Sequence, residues 1–327
     1  MKYDICGFGE ILIDFTPDGI AEYGYPRYIQ NPGGGPANLT AAGAGFGSPC
    51  AFIGKIGNDA PGKFAKGCLM QAGVDVSGIV TDDEYNTTLA FVTLLPDGER
   101  DFTFYRRHEA DIRLSPDEVN CEIIASSRVL HVDCLSLTDE PCRSATMKAI
   151  ETAKKNGTVL SYDPNYRANL CTAPDSVERM TRMLDHRMSF VKVSLEEGEM
   201  ITGTSDPVEI GRRICETGTE LTAVTLGKEG SVIVTKCCSF RQHGYTDGIH
   251  SIDATGAGDI FWGTFLASFA QSGMTAKEFC ENEDVVHKSV RLASIAAALS
   301  TEKKGGIPSV PDKAEVIERE RKWSTAD

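Results

Sequence analysis

The chain has 327 residues, 41% of them hydrophobic and 24% charged, the balance of an ordinary folded domain. Its 33 Lys and Arg against 47 Asp and Glu leave a net charge of -14, which argues against a surface holding nucleic acid or an anionic membrane through clustered cations, though not against a nucleotide substrate. No apolar run reaches the roughly 18–20 residues of a membrane span, Met1–Cys6 carries no apolar leader, and the 11 scattered cysteines have neither zinc spacing nor a disulfide framework, as expected of small core residues in a reducing cytoplasm.

Residues 3–9 and 10–16 predict two strands with a glycine kink between them, and Asp14 interrupts the apolar run of the second. A carboxylate there is either a surface residue at a strand edge or a polar group aimed into a site. Gly7-Phe8-Gly9 fails as a dinucleotide fingerprint, because Leu12 stands where the third glycine belongs. Gly33, Gly34 and Gly35 ahead of Pro36 predict a rigid loop feeding a small-residue helix through Ala41, Ala42 and Ala44, with Asn38 in its first turn. Gly57–Phe64 approaches a phosphate-binding loop, but Phe64 occupies the place of the Ser or Thr that would hold Mg²⁺. The segment predicts a turn into a helix over 64–71. Residues 87–95 and 101–105, joined by Pro96-Asp97-Gly98 and ended by Arg106-Arg107, predict a hairpin. It is either a lid or a sheet edge with solvated arginines.

From about residue 115 strands and helices alternate. Strands are predicted at 128–133, 158–162, 189–193, 222–226 and 231–235, and helices at 140–155, 174–185, 207–217, 275–281, 285–300 and 311–323. This is the order of a doubly wound, mostly parallel α/β sheet flanked by helices. Ligands in such sheets sit beyond the carboxyl ends of strands. Asp163, Asn165, Arg167, Glu197, Gly227 and Asp259 all fall just after predicted strands or at turns into helices.

Gly256-Ala257-Gly258 turns the chain into an apolar helix carrying Ile260, Phe261, Phe265, Leu266 and Phe269. The N–H groups of Gly256, Ala257 and Gly258 are expected to face the space before the helix N-terminus, where free donors and the positive dipole end favour an anion. Asp259 stands at the edge of that space. An anion hole beside a carboxylate suggests phosphoryl transfer, the amides holding the migrating group and Asp259 accepting the proton of the attacking hydroxyl. The plainer reading makes Asp259 a helix N-cap.

Over nearly its whole length the chain resembles the ribokinase-like sugar kinases (the PfkB carbohydrate kinases), and within them the fructokinases. The resemblance rests on Asp253–Asp259 with Phe261 and Gly263, on Gly33–Asn38 with Ala41, and on Gly54, Gly57 and Asp59. It rests also on Gly9–Phe15, Asn31–Pro36, Phe104–Arg106 with Ala110-Asp111, and Asp163–Arg167. It implies one ribokinase-like α/β domain over 1–312, with a small β-sheet lid from about 10–32 and 87–107, and a C-terminal surface helix and tail over 313–327. Asp259 is implied as general base, Gly256, Ala257 and Gly258 as the hole for the γ-phosphate, and Asp14, Gly33, Gly34 and Asn38 as sugar ligands. Phe104 would face the substrate, and Arg106 and Arg167 the substrate or phosphates. Asn165, Ser194, Thr225, Gly227 and Gly230 would line the ATP site, with Glu197 holding Mg²⁺ through water. Asp253, Thr255, Gly305 and Ser309 resemble a K⁺ loop. One departure is Ser194, where the family often carries an asparagine three residues before the glutamate.

The expected activity is phosphorylation of the 6-hydroxyl of fructose by ATP. The rival sugars are 2-keto-3-deoxygluconate, tagatose and a nucleoside; a non-catalytic sugar- or nucleotide-binding protein is the rival class. The exposed lid hairpin has edge strands that can pair with a second copy of the chain.

Overall fold

Apolar runs buried on both faces need a sheet covered by helices on both sides. The computed structural model, which describes residues 1–94 and 100–323, has that layout. Strand β1 (Tyr3–Phe8) leads into β2 (Leu12–Ile20) and β3 (Pro26–Gly33), followed by helix α1 (Gly35–Gly45), β4 (Cys50–Gly57), α2 (Ala60–Gln71), β5 (Val74–Asp82), β6 (Leu89–Leu94) and β7 (Arg100–Tyr105). The alternating part is α3 (Cys121–Ala125), β8 (Ser127–Val132), α4 (Cys142–Asn156), β9 (Val159–Tyr162), α5 (Ser176–Arg182), β10 (Phe190–Ser194), α6 (Leu195–Thr202), α7 (Pro207–Glu216) and β11 (Leu221–Thr225). The chain ends with β12 (Gly230–Thr235), β13 (Ser239–His243), α8 (Ala257–Ser272), α9 (Ala276–Glu281), α10 (Glu283–Ser300) and α11 (Lys313–Trp323).

The large sheet runs in the order β13-β12-β11-β10-β9-β8-β1-β4-β5 and is parallel from β11 to β5. Strand order reverses beside β1, whose two neighbours are β4 and β8. Ligands of doubly wound sheets collect beyond the carboxyl ends of strands at such a switch point. A separate small sheet has the order β3-β2-β6-β7. Its β7 end is attached to loops at the carboxyl edge of the large sheet. Asn169, after β9, donates to the carbonyl of Phe102 at 2.8 Å, and Arg106 donates to the carbonyl of Leu135, after β8, at 2.9 Å. The small sheet therefore sits over the edge where ligands are expected. The predicted turn Pro96-Asp97-Gly98 lies outside the described residues; the strands on either side pair antiparallel from Leu89↔Tyr105 to Leu94↔Arg100.

Helix α8 is buried nearly all round. Phe190 of β10 packs with Phe265, Phe269 and Phe279 at centroid distances of 5.8, 4.7 and 6.3 Å. Trp262 Nε1 donates to Ser161 Oγ at 2.9 Å, which satisfies the one polar atom of that side chain. A Cβ on Gly263 would run into the backbone carbonyl of Leu39 and lie 2.9 Å from Cβ of Ala42. The missing side chain at 263 and the alanines of α1 thus let the two helices pack closely.

The sequence does not reveal β4, β5, β13 or α6. Strands β4 and β5 carry glycine and charge inside their runs, and β13 is a half-exposed edge strand without apolar alternation. The predicted loop at 31–38 is shorter than expected: β3 continues to Gly33, and only Gly34 separates it from α1. The helix expected from Phe64 begins at Ala60, because Asp59 caps it by accepting from the N–H of Gly62 at 2.8 Å. Among the described residues no helix is long and apolar enough to cross a membrane.

Candidate active site

The close packing of α1 on α8 brings the N-termini of both helices together at the switch point. Each begins with a glycine in a left-handed conformation. Gly34 caps α1 at φ 106, and a Cβ there would fall 2.5 Å from the carbonyl of Glu10. Gly256 caps α8 at φ 76, and a Cβ there would fall 2.9 Å from Cα of Gly306. An L side chain is strained at both places and has no room at either. Glu10 fixes the first turn of α1, accepting from the N–H of Gly35 at 2.7 Å. Behind it Asp133 shares the same buried space. Burial first, and then the mutual charge of the pair, raises the Asp133 carboxyl well above its ordinary value.

Asp259 is not the N-cap of α8. That place belongs to Gly256, which puts Asp259 three residues further on in the first turn, with no capping bond from its side chain. Its Oδ2 instead accepts from Nδ2 of Asn38, on α1, at 2.9 Å. Burial pushes its carboxyl up to about 7. Lys192 opposes that rise, Asp163 adds to it, and Asn38 and Arg167 oppose it further. Of the three amides expected to form the hole, one is engaged within the turn. The N–H of Ala257 turns back to the carbonyl of Ala254 at 3.2 Å. Those of Gly256 and Gly258 have no acceptor among the described residues, as the first turn of a helix allows.

On the sugar side, Asp14 is 8% exposed, and its Oδ2 lies 2.5 Å from where a Cβ on Gly33 would stand. Burial lifts its carboxyl to about 7, while Arg167 draws it down and Asp253 and Glu10 push it further up. Asn38 gives its amide to Asp259, and its Oδ1 is buried with no donor among the described residues. Such a group is suited to accept from a ligand hydroxyl. Arg167 is exposed, and its guanidinium donates to the carbonyl of Tyr166 at 3.1 Å. Phe104 is half-buried on β7 and stacks on Phe102.

Arg106, expected to face the substrate or phosphates, turns into the core. It is buried, pairs with Asp111 at 2.7 Å, and donates to the carbonyl of Leu135 and to Thr138. Burial works against its charge, but Asp111 and Glu10 hold it up. It pins the end of β7 to the core.

Ser194 and Glu197, expected at the nucleotide, form a capping box at the start of α6. Glu197 accepts from the N–H groups of Ser194 and Tyr166, each at 2.7 Å. The serine that departs from the family pattern serves as the cap of this helix. Each carboxylate oxygen keeps a further lone pair, so a metal-bound water still fits. Ser194 pairs in register with Thr225, and Gly227 (φ 57) and Gly230 (φ 104) follow it. Asn165, at a left-handed φ of 47, lies against Gly35. Asp253 accepts from the N–H groups of Thr255 at 2.7 Å and Gly305 at 3.0 Å, and Ser309 donates to the carbonyl of Gly306 at 2.7 Å. This set of hard oxygens suits a monovalent cation. Among the described residues no group of three or more His, Cys, Asp or Glu is placed to hold a metal ion.

Sequence reasoning missed Lys192. Its ammonium is paired with Asp163 at 2.5 Å and lies 3.2 Å from where a Cβ on Gly258 would stand. The signal available was a lysine inside an otherwise apolar central strand.

Fold and site together define the class as a ribokinase-like α/β kinase. The model of the pfkB family of carbohydrate kinases matches residues 3–313, and the chain belongs to that family. It is a sugar kinase. It is 42% identical over 318 residues to a probable fructokinase-4 of Arabidopsis thaliana, covering 95% of each chain. It is 27% identical, with a TM-score of 0.90, to a fructokinase of Xylella fastidiosa solved with bound ATP, covering 99% of this chain and 100% of that one. A double mutant of the Vibrio cholerae fructokinase, solved with fructose, ADP and potassium ion, is 30% identical with a TM-score of 0.85, covering 97% and 98%.

Proposed function

We propose that the protein transfers the γ-phosphoryl group of ATP to the 6-hydroxyl of fructose. The observation that carries this is the contact between Asn38 and Asp259, 2.9 Å across two converging helix N-termini. It sets a group suited to a sugar hydroxyl against a carboxylate raised to about 7, close to working pH. Asp259 takes the hydroxyl proton. The free amides of Gly256 and Gly258 hold the phosphoryl oxygens. Asp14, Asn38 and the backbone at Gly33 and Gly34 orient the sugar, with Phe104 and Arg167 at its rim. Asn165, Thr225, Gly227 and Gly230 line the nucleotide. Glu197 holds a water of the Mg²⁺ shell, and Mg²⁺ when bound neutralises the ATP phosphates.

ADP release measured over a panel of fructose, 2-keto-3-deoxygluconate, tagatose and nucleosides tests the reading. Turnover of fructose with the highest kcat/KM supports it; absence of turnover on fructose ends it. The acidic sugar is favoured by one observation, the exposed guanidinium of Arg167, whose charge acts on both Asp14 and Asp259.

K⁺ would sit among Asp253, Thr255, Gly305 and Ser309. Rates are then expected to be higher in K⁺ than in tetramethylammonium, and equal rates would remove the cation from the reading. A cytoplasmic location fits the 11 free thiols. A homodimer through the small sheet fits its exposed Tyr23, Tyr25 and Tyr28.

A further inference from the structure

Lys192 stands in the middle of a parallel sheet, on β10, and its side chain is 9% exposed. An ammonium is taken out of water only where other groups hold its charge. Burial works against the charged form here, but Asp163, Glu197 and Asp259 together outweigh it and raise the ammonium above its ordinary value. Lys192 is therefore a cation at every pH at which the enzyme works. His131, on β8, does not compete for this role. Burial first, and then the charge of Lys192, drives it down to about 3, so it is neutral.

A structural ion pair needs only two partners. Lys192 has three N–H donors and, among the described residues, a single acceptor, Oδ2 of Asp163. Its nitrogen lies 3.2 Å from where a Cβ on Gly258 would stand, and the N–H of Gly258 has no acceptor among the described residues. A side chain and a backbone group with spare donors thus stand close together at the start of α8. Asp163, Glu197 and Asp259 all act on this ammonium through their charge, and carboxylates so near would repel a phosphate unless a cation stood among them.

We propose that Lys192 is the cationic member of the phosphate hole, donating to an oxygen of the phosphoryl group in transfer while Asp163 holds it from behind. The inference rests on the kinase reading of Asp259 given above. In the step, the bond from the γ-phosphorus to the bridging oxygen breaks and its electron pair stays on ADP. A bond forms from the sugar hydroxyl oxygen to phosphorus, and the hydroxyl proton passes to Asp259. Lys192 stays protonated throughout and forms no covalent bond. Its charge also favours ionised Asp259, so its loss moves the acid limb of the rate profile to higher pH.

The test compares wild type, Lys192→Met and the double variant Lys192→Met with Asp163→Asn. Each is assayed for ADP release with fructose from pH 5.5 to 9, for binding of Mg·ATP by calorimetry and for thermal melting. A structural pair and a phosphate ligand differ in the double variant, where no buried charge is left stranded. The expected result in the double variant is melting restored toward wild type, kcat still lowered about 10²–10³-fold and KM for fructose within a few-fold; the upward displacement of the acid limb is read in the single variant, where Asp163 still raises Asp259. Recovery of kcat to within threefold in the double variant, or an unshifted acid limb in the single variant, overturns the proposal, as does a single variant within threefold of wild type. Wild type inactive on every sugar would instead overturn the kinase reading itself.

Discussion

Asp259 has to be ionised to accept a proton, and burial resists that. The rate is therefore expected to fall as pH drops below about 7, with one proton taken up. Asp259→Asn keeps the contact surface toward Asn38 but removes the base. Its kcat should fall about 10²–10⁴-fold with ATP affinity little changed, and turnover within threefold of wild type would reject the role. The same raised carboxyls have a consequence for stability. In the unfolded chain an aspartate titrates near about 3.9, whereas Asp14 and Asp259 are both raised to about 7 in the fold. The folded state binds their protons more tightly. Their contribution is fully present below the unfolded value and is lost as pH rises through about 7. Asp14→Asn and Asp259→Asn should each gain stability relative to wild type between pH 5 and pH 8. Parallel melting curves across that range would show that the carboxyls are not raised.

At the scale of the element, the site depends on how α1 and α8 meet. Gly263→Ala places a methyl against the backbone carbonyl of Leu39. Backbone cannot rotate away, so the helices must part. A destabilisation of about 1–3 kcal/mol is expected by urea unfolding, with a larger loss of kcat than of stability, because Asn38 and Asp259 separate. Wild-type unfolding and kcat together would show that the packing is looser than it looks. The sequence made α8 legible through its apolar run and the Gly256–Gly258 turn, and it showed Asn38 in the first turn of α1. Their contact links residues 221 positions apart in the chain, and no local pattern encodes it. Arg106 was misplaced for the same reason. A doublet of arginines at a strand end looks solvated or substrate-facing until Asp111 and Leu135 fold against it.

For the whole molecule, the small sheet is joined to the core by few polar contacts, among them Asn169 with Phe102 and Arg106 with Leu135 and Thr138. Closure of this sheet over a sugar, excluding water that would otherwise take the phosphoryl group, is a prediction. Fructose binding should slow amide hydrogen exchange in β2, β6 and β7, and unchanged exchange would count against closure. The sequence by itself determined the doubly wound sheet, the two glycine turns into buried helices, and the resemblance that points to a sugar kinase. These rest on spacing along the chain, on periodicity and on the glycines that tight turns require. The tertiary structure decided which groups of that list meet. It gave Asp259 to Asn38 and not to the cap, turned the N–H of Ala257 back to Ala254 and Arg106 to Asp111, and brought Lys192 to Gly258. Burial and charge act through space, and these partners become neighbours only when the strands align.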